Sequence, residues 1–161
     1  MSHVPQFTRL LVPDHELRDV REFMLKFGQL VHLAPVHLTK RKLGERSEFL
    51  QEELDEFKAA VETQDLSAMA DALIDLVYVA KGTAIMLGLP WEALWADVHR
   101  ANMAKVRGVT HRGHAVDCKK PEGWAPPQTL PILLDANYIP VNFRVDGSLE
   151  IDEEKCHDDV P

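Results

Sequence analysis

The sequence has few cysteines, no recognisable export signal and no long apolar run, and each of these shortages excludes a class of protein. Its two cysteines, Cys118 and Cys156, lie far apart and outside any CxxC pair. This excludes a disulfide framework and is typical of a reducing compartment. The first residues, MSHVPQFTRL, show no basic-then-apolar signal segment, so we expect a cytoplasmic protein, in the host cytoplasm if it is phage-encoded.

Basic residues are also fewer than acidic residues, which limits the kinds of molecule that the protein can bind. With 18 Lys and Arg against 26 Asp and Glu, the net charge is −8, which argues against non-specific nucleic-acid binding. The longest apolar stretch, around 72–89, is interrupted by Asp75 and Lys81, so no membrane span is predicted. A phosphorylated small molecule is still compatible with this charge, because a bound metal can reverse the sign locally.

The apolar residues of the sequence recur mainly at helical spacing. The chain is long enough to form one domain with a core. The pattern predicts four helices, with Asp65 as the N-cap of the third and Pro90 in the first turn of the fourth. Their predicted bounds are about 14–27, 46–62, 66–87 and 90–105. A Gly- and Pro-rich stretch then predicts a loop, and Asp146-Gly147 lies between two alternating runs, which predicts a β-hairpin. We therefore predict an all-α bundle of four to five helices over 1–127, followed by a C-terminal extension over 128–161 with a short hairpin tail.

The second helix carries three glutamates beside its apolar stripe. At about 100° per residue, Glu52, Glu53 and Glu56 fall in one sector. The neighbouring stripe consists of Leu50, Leu54, Phe57 and Val61. Glutamates that border a stripe are common on solvated helices, so this helix alone does not distinguish a site from a surface.

The third helix is apolar almost all round, which predicts a buried central helix. Asp71 and Asp75 interrupt it four residues apart and so share a face. Asp71 is near enough to the helix start to serve the helix dipole, but Asp75 is not. A buried carboxylate is costly unless it is paired or holds a metal. Carboxylates on two facing helices therefore predict a Mg²⁺ or Mn²⁺ site.

The fourth helix adds groups suited to phosphate and sugar. Asn102 and Lys105 continue the stripe of Trp91 and Trp95, so we expect them near the bundle interior. A lysine at a helix C-terminus can equally serve the helix dipole. Beside a carboxylate–metal cluster, these side chains are predicted to contact a phosphorylated substrate. In the following loop, Lys119, Lys120 and Trp124 could close over the same place.

Four segments in this order carry a family resemblance: EELDE (52–56), DALIDLVYVAKGTAIMLGL (71–89), VHRANMAK (98–105) and KPEGW (120–124). They resemble the MazG-like all-α nucleoside triphosphate pyrophosphohydrolases, a superfamily that includes phosphoribosyl-ATP pyrophosphohydrolases and dimeric dUTPases. The resemblance implies a MazG-like bundle in which an EExxE motif and an ExxD motif bind Mg²⁺, with Mn²⁺ able to substitute. The matching residues are Glu52, Glu53 and Glu56 for EExxE and Asp75 for the end of ExxD. Ala72 stands where the family has the ExxD glutamate, and Asp71 beside it is the candidate substitute.

The resemblance also implies a reaction. The family hydrolyses the bond between the α- and β-phosphates of a nucleoside triphosphate, releasing monophosphate and pyrophosphate. Glu52 is then the candidate base and Lys105 the candidate phosphate contact, with a role in nucleotide-pool control. We expect a deoxynucleoside triphosphate substrate, either a purine (dGTP or dATP) or dUTP. The remaining substrate-binding candidates are Arg46, Asn102, Lys120 and, around the base, Phe23, Phe27, Gln29 and Trp95.

A homo-oligomer, as a homodimer or homotetramer, is the expected form. A short four-helix body offers too few neighbours to cover the third helix on every side. The tail is also too apolar to stay solvated, and a lone hairpin is marginal in water. Its apolar face should cover the bundle or, as we favour, cross to a neighbouring subunit.

Three other functions fit parts of the sequence. A ferritin-like di-iron bundle would need ExxH pairs, and the four predicted helices contain none. A small zinc module could use His111, His114 and Cys118, with Cys156 or His157 as the fourth ligand. A non-catalytic helical partner-binding module is the main alternative to an enzyme. Two observations would distinguish such a module from an enzyme: the mutual arrangement of Glu53, Asp75 and Lys105, and an assay of pyrophosphate release.

Overall fold

The computed structural model describes residues 15–109, 117–143 and 149–151. Within them the chain forms helices and two small antiparallel sheets, so the predicted all-α class with a hairpin is confirmed. The helices are α1 (His15–Lys26), α2 (Lys40–Thr63), α3 (Leu66–Met86), α4 (Trp91–Met103) and α5 (Thr129–Asp135). The strands are β1 (Val106–Gly108), β2 (Asp117–Lys119), β3 (Val141–Phe143) and β4 (Leu149–Ile151), with β1 paired to β2 and β3 to β4.

The long antiparallel hairpin of α2 and α3 is the main helix–helix contact in the described part. Gln64 turns the chain in the left-handed region at φ 56°, and its N–H bonds to the carbonyls of Ala60 and Val61. Asp65 then caps α3 by accepting hydrogen bonds from the backbone N–H of Ser67 and Ala68 at 3.0 and 3.1 Å. The predicted N-cap is confirmed, because a short acidic side chain satisfies donors that the first helical turn leaves free.

The buried core lies at one end of this hairpin. It contains Val20 and Met24 of α1, Leu38, and Ile85 and Met86 of α3. The segment before α2 runs along the end of α3, with the backbone N–H of residues 32 and 36 bonded to the carbonyls of residues 85 and 87. The core therefore covers only the C-terminal half of α3.

The predicted burial of α3 is found in its C-terminal half, and the N-terminal half is largely open in the single chain, as expected of a short four-helix body that cannot cover this helix on every side. Leu66 is 78% exposed and Ile74 is 67% exposed. The cause is geometric, since within the described ranges α1 packs near the C-terminal end of α3 and α2 is the one helix that lies beside the rest. On α2, Leu54 and Val61 are exposed as well. The free half of the hairpin is therefore an arm with an apolar surface.

The structure differs from the sequence prediction in three places. α2 begins at Lys40 instead of Arg46, because Thr39 caps it by accepting from the N–H of Lys42 at 3.2 Å. The stretch predicted as loop contains β1 and β2, and the apolar start of the tail forms α5. α5 packs against α4, and the hydroxyl of Tyr138 lies 2.8 Å from Nε2 of His37 in the same chain.

The predicted β-hairpin is present as β3 and β4, although its predicted turn, Asp146-Gly147, lies outside the described residues. Whether its apolar face packs on the bundle or on a neighbouring subunit stays a prediction. None of the helices among the described residues combines the length and the apolarity needed to cross a bilayer.

Gly88 fixes the end of α3 against the segment before α2. Its φ is +65°, and a Cβ there would lie 1.9 Å from the carbonyl oxygen of Ala34. We expect Gly88→Ala to be strongly destabilising, because the left-handed backbone costs a side chain about 1–2 kcal/mol and the clash with a backbone atom adds to it. Gly28→Ala is the matched control, since Gly28 has φ +66° but a Cβ at that position would meet no atom within 4 Å.

Urea unfolding of both variants checks this contact. Gly88→Ala should lose at least about 2 kcal/mol more than Gly28→Ala, the scale of a steric clash in a packed region. Equal losses in the two variants would contradict the close approach of Gly88 to Ala34.

Candidate active site

Five carboxylates face one another across the α2–α3 hairpin, and we call them the acidic cluster: Glu52, Glu53, Glu56, Asp71 and Asp75. Arg46 of α2 bonds to α3 at Val79 and Thr83. Glu53 lies seven residues, or about two turns, after Arg46 on α2, and Asp75 lies four residues before Val79 and eight before Thr83 on α3. Because the helices are antiparallel, Glu53 lies opposite Asp75. The cluster therefore begins where the covered half of α3 ends.

Glu53 is the focus of this cluster. It is half-buried, whereas the other four carboxylates are exposed. The pKa of Glu53 is raised above its usual value, first by burial and then by the negative charges of Asp75, Glu56, Glu52 and Asp71. Loss of solvation and nearby like charges both disfavour the ionised form. The site therefore carries an excess of negative charge that a cation would neutralise.

No basic side chain neutralises the acidic cluster within the described ranges. The ion pairs found in the described ranges involve acids outside the cluster, such as Glu45 with Lys42 at 2.6 Å and Asp97 with Arg100 at 2.6 Å. Within the same ranges, no three His, Cys, Asp or Glu side chains already stand together as a metal-binding group. Gathering the carboxylates around one cation thus requires their side chains to move towards each other.

A second group of predicted site residues lies at the C-terminal end of α4, and we call it the basic cluster: Asn102, Lys105 and Lys120. Lys105 is half-buried, and its Nζ donates to Oδ1 of Asn102 at 2.7 Å. Lys120 lies over the ring of Trp124 at 4.4 Å, and the indole Nε1 of Trp124 donates to the carbonyl of Ala101 at 2.7 Å. The tryptophan thus fixes the loop of Lys120 to α4, which ends two residues before Lys105.

Among the described residues, no hydrogen bond or ion pair joins the basic cluster to the acidic cluster within one chain. α4 packs mainly on α5, and its packing on α2 and α3 is slight. Asn102 is exposed, so the expected position of this helix end near the bundle interior is not found in the single chain. The N-terminal end of α4 is closer to α3, because Nζ of Lys81 lies 5.9 Å from the ring centre of Trp91.

Aromatic side chains near the acidic cluster come from α1 and α3. Phe23 contacts Phe27 at 4.7 Å and meets Tyr78 edge-on at 5.6 Å, measured between ring centres. Tyr78 lies about one turn from Asp75 on the same helix. Gln29 follows α1 and is exposed. Trp95 instead stacks on Trp91 at 6.3 Å and is 54% exposed, so it is not part of this aromatic group.

One buried charge, Lys81, was noted in the sequence as an interruption of the apolar stretch but was not assigned a structural or functional role. Lys81 is 6% exposed, and its Nζ lies 2.6 Å from Oε2 of Glu16, which ties α3 to α1. The sequence did contain an indication of this buried charge, because Lys81 is the one basic residue in the apolar run of α3. The Nζ of Lys81 also lies over the ring of Trp91. Trp91 lines a cleft of about 440 Å³ at the C-terminal end of α3, together with Arg21 and His32.

The alternative zinc site is not tested by the structure. His111, His114, Cys156 and His157 lie outside the described residues, and Cys118 is exposed on β2.

Comparison with known protein families decides to which family the protein belongs. The family model described as phosphoribosyl-ATP pyrophosphohydrolase matches residues 20–102, just over half of the chain. The protein belongs to the phosphoribosyl-ATP pyrophosphohydrolase family. It is thus a member of the MazG-like all-α pyrophosphohydrolases, as its sequence motifs indicated, and a nucleotide pyrophosphohydrolase by class. Among curated proteins, no significant match to the chain was found. The matched region holds the whole acidic cluster and ends at Asn102.

Proposed function

We propose that the protein is a Mg²⁺-dependent pyrophosphohydrolase of deoxynucleoside triphosphates that releases a monophosphate and pyrophosphate in the control of the cytoplasmic nucleotide pool. The observation that carries this proposal is the acidic cluster of α2 and α3, with no basic partner in the described ranges. The four neighbouring carboxylates disfavour the ionised form of half-buried Glu53, and a bound cation would offset this repulsion. They lie inside the region that matches the family.

The donor set suits a hard divalent cation. Glu53, Glu56 and Asp75 would hold Mg²⁺ or Mn²⁺, with Asp71 in the place of the missing glutamate at Ala72 and Glu52 beside them. Oxygen ligands without histidine or cysteine favour these ions over zinc. When bound, the cation would supply charge neutralisation at the phosphates and acidify a bound water.

The chain's own side chains supply the rest of the reaction. Glu52 accepts the proton of the attacking water. Lys105, assisted by Lys120, stabilises the charge that develops on the leaving pyrophosphate. Asn102 contacts the sugar or a phosphate of the substrate beside Lys105. Phe23, Phe27 and Gln29 would form one side of the base pocket, with Trp95 as the remaining aromatic candidate.

A homo-oligomer would unite the two clusters. We propose a homodimer or homotetramer in which Lys105 and Asn102 of one copy meet the acidic cluster of another. Supporting this are the opposite charges of the two clusters and the slight packing of α4 on α2 and α3 in its own chain. The apolar surface of the arm, including Leu66 and Ile74, would be covered in the same contact.

A turnover panel tests the reaction. The full chain is incubated with Mg²⁺ and each common dNTP and NTP, and with phosphoribosyl-ATP because the family model bears that name. We expect pyrophosphate and the monophosphate as products, highest turnover with dGTP, dATP or dUTP, and loss of activity in excess EDTA. Orthophosphate as the main product, or full activity in EDTA, would refute the mechanism. Absence of turnover on every substrate would favour the partner-binding module.

A further inference from the structure

Arg46 is a half-buried cation whose bonds go to a neighbouring helix instead of to a carboxylate. Its side chain makes no ion pair within the described ranges. Burial lowers the pKa of its guanidinium from the usual value, since the charged form loses solvation. A guanidinium in this setting must obtain its compensation from hydrogen bonds.

Those bonds form a closed triangle with α3. Nε of Arg46 donates to the hydroxyl of Thr83 at 3.0 Å, and Nη2 donates to the carbonyl of Val79 at 2.8 Å. The hydroxyl of Thr83 in turn donates to the same carbonyl of Val79 at 2.8 Å. Thr83 thereby accepts one bond and donates another, so each member of the triangle fixes the other two. The planar guanidinium is suited to such a two-pronged contact.

Gly82 makes room for the guanidinium on α3. A Cβ at this position would lie 3.4 Å from Nη2 of Arg46 and 3.7 and 3.8 Å from the side chains of Val20 and Met24. A Cβ would thus be in van der Waals contact with the guanidinium, which shows that Arg46 lies directly on the surface of α3 at this position.

The triangle lies two turns from the focus of the acidic cluster. Glu53 follows Arg46 by seven residues on α2, which places the two on nearly the same face of the helix. Between them, Phe49 lies beneath the guanidinium, 5.3 Å from ring centre to Cζ. Because a straight helix transmits rotation and translation along its axis, the bonds at Arg46 set how Glu53 meets Asp75.

We propose that Arg46 is a positioning residue of the pyrophosphohydrolase site, which fixes the register of α2 against α3 so that Glu53 faces Asp75. This assignment rests on the proposed function and replaces the role of Arg46 as a direct substrate contact. Two of its donor nitrogens are already used on α3, and only Nη1 has no partner among the described residues. A phosphate contact through the Nε and Nη2 edge of the guanidinium would have to break the triangle.

Thr83→Val separates positioning from substrate contact. The change removes the hydroxyl of the triangle, keeps a β-branched side chain of similar size, and leaves every side chain predicted to contact substrate, Arg46 included, unaltered. Thr63→Val is the matched control, since among the described residues the hydroxyl of Thr63 bonds only to the carbonyls of Ala59 and Ala60 in its own helix. Arg46→Lys completes the set, because an ammonium keeps the charge but cannot form the fork.

Three measurements on the full chain give the outcome. Mn²⁺ binding to the substrate-free protein, followed by electron paramagnetic resonance, should weaken roughly tenfold in Thr83→Val and Arg46→Lys, the factor that corresponds to losing one or two hydrogen bonds. Amide exchange near Glu53 should become faster in both variants. Turnover should fall in kcat while KM at saturating Mg²⁺ stays close to that of the wild type. Thr63→Val should leave all three unchanged.

A contrary pattern overturns the proposal. If Arg46→Lys raises KM and Thr83→Val changes nothing, Arg46 contacts the substrate. If Thr83→Val leaves both Mn²⁺ affinity and amide exchange at wild-type values, the triangle does not set the register. A wild-type protein that turns over no nucleotide, yet shows faster amide exchange near Glu53 on Thr83→Val, would refute the proposed reaction and keep the positioning role.

Discussion

Glu53→Gln should reduce pyrophosphate release roughly a hundredfold to a thousandfold, the loss expected when one electrostatic group is removed from an active site. The change keeps the shape of the side chain and removes the charge at the focus of the acidic cluster. Initial rates at saturating Mg²⁺ and substrate measure the effect. Glu48→Gln is the control, because Glu48 is exposed on the same helix and lies outside the cluster.

The same variant should be more stable than the wild type when no metal is present. The pKa of Glu53 is raised in the folded chain from its ordinary value of 4.5, by burial first and by Asp75 next. An acid with a raised folded pKa contributes stability that is fully present below its unfolded pKa and lost as the pH rises through the folded value. Glutamine cannot lose a proton, so Glu53→Gln escapes this loss.

Urea unfolding in EDTA between pH 4 and 8 checks the sign. The advantage of Glu53→Gln over the wild type should grow as the pH rises through the folded pKa of Glu53 and then level off. Added Mg²⁺ should stabilise the wild type and much less the variant, because a ligand stabilises only the state that binds it. A variant that is inactive and also less stable in EDTA would show that Glu53 supports the fold instead of the site.

Local signals in the sequence were sufficient for the parts of the fold that depend on neighbours along the chain. The cap by Asp65 follows from an acidic residue before an apolar run, and the shared face of Asp71 and Asp75 follows from their spacing. The start of α2 was missed because residues 40–45 are mostly charged and include Gly44, so they show no apolar period. α5 was missed because seven residues are too few to show one.

Packing between distant segments could not be read in the same way. Periodicity identified the face of α4 that carries Trp95 and Asn102, but it does not say which element that face meets. In the single chain this face is largely open, and α4 packs instead on α5, a helix that the sequence did not predict. The triangle of Arg46 also joins residues 33 and 37 positions apart, through a threonine and a backbone carbonyl that no motif marks.

Subunit complementation should restore activity from two inactive variants. Glu53→Gln lacks the focus of the acidic cluster, and Lys105→Ala lacks the main cation of the basic cluster. If each site takes Glu53 from one copy and Lys105 from another, a mixed dimer holds one intact site and one doubly altered site. Each variant alone holds no intact site.

The two variants are produced together with different affinity tags, and the mixed oligomer is isolated through both tags. In an unsorted equal mixture of dimers we expect about a quarter of the wild-type rate, since half of the dimers are mixed and each contains one intact site. The isolated mixed dimer should reach about half. Combining Glu53→Gln and Lys105→Ala in one chain, co-produced with wild type, provides the control for subunit exchange.

The outcome distinguishes two arrangements of α4. Recovery means that Lys105 acts on the acidic cluster of another copy, which agrees with the packing of α4 away from α2 and α3 in its own chain. No recovery in a verified mixed oligomer means that Lys105 must reach the acidic cluster of its own chain, so that α4 must swing towards α2 when substrate binds. A wild-type chain that stays an 18.2 kDa monomer in light scattering while active would exclude the shared site directly, because a monomer has no second Lys105 to offer.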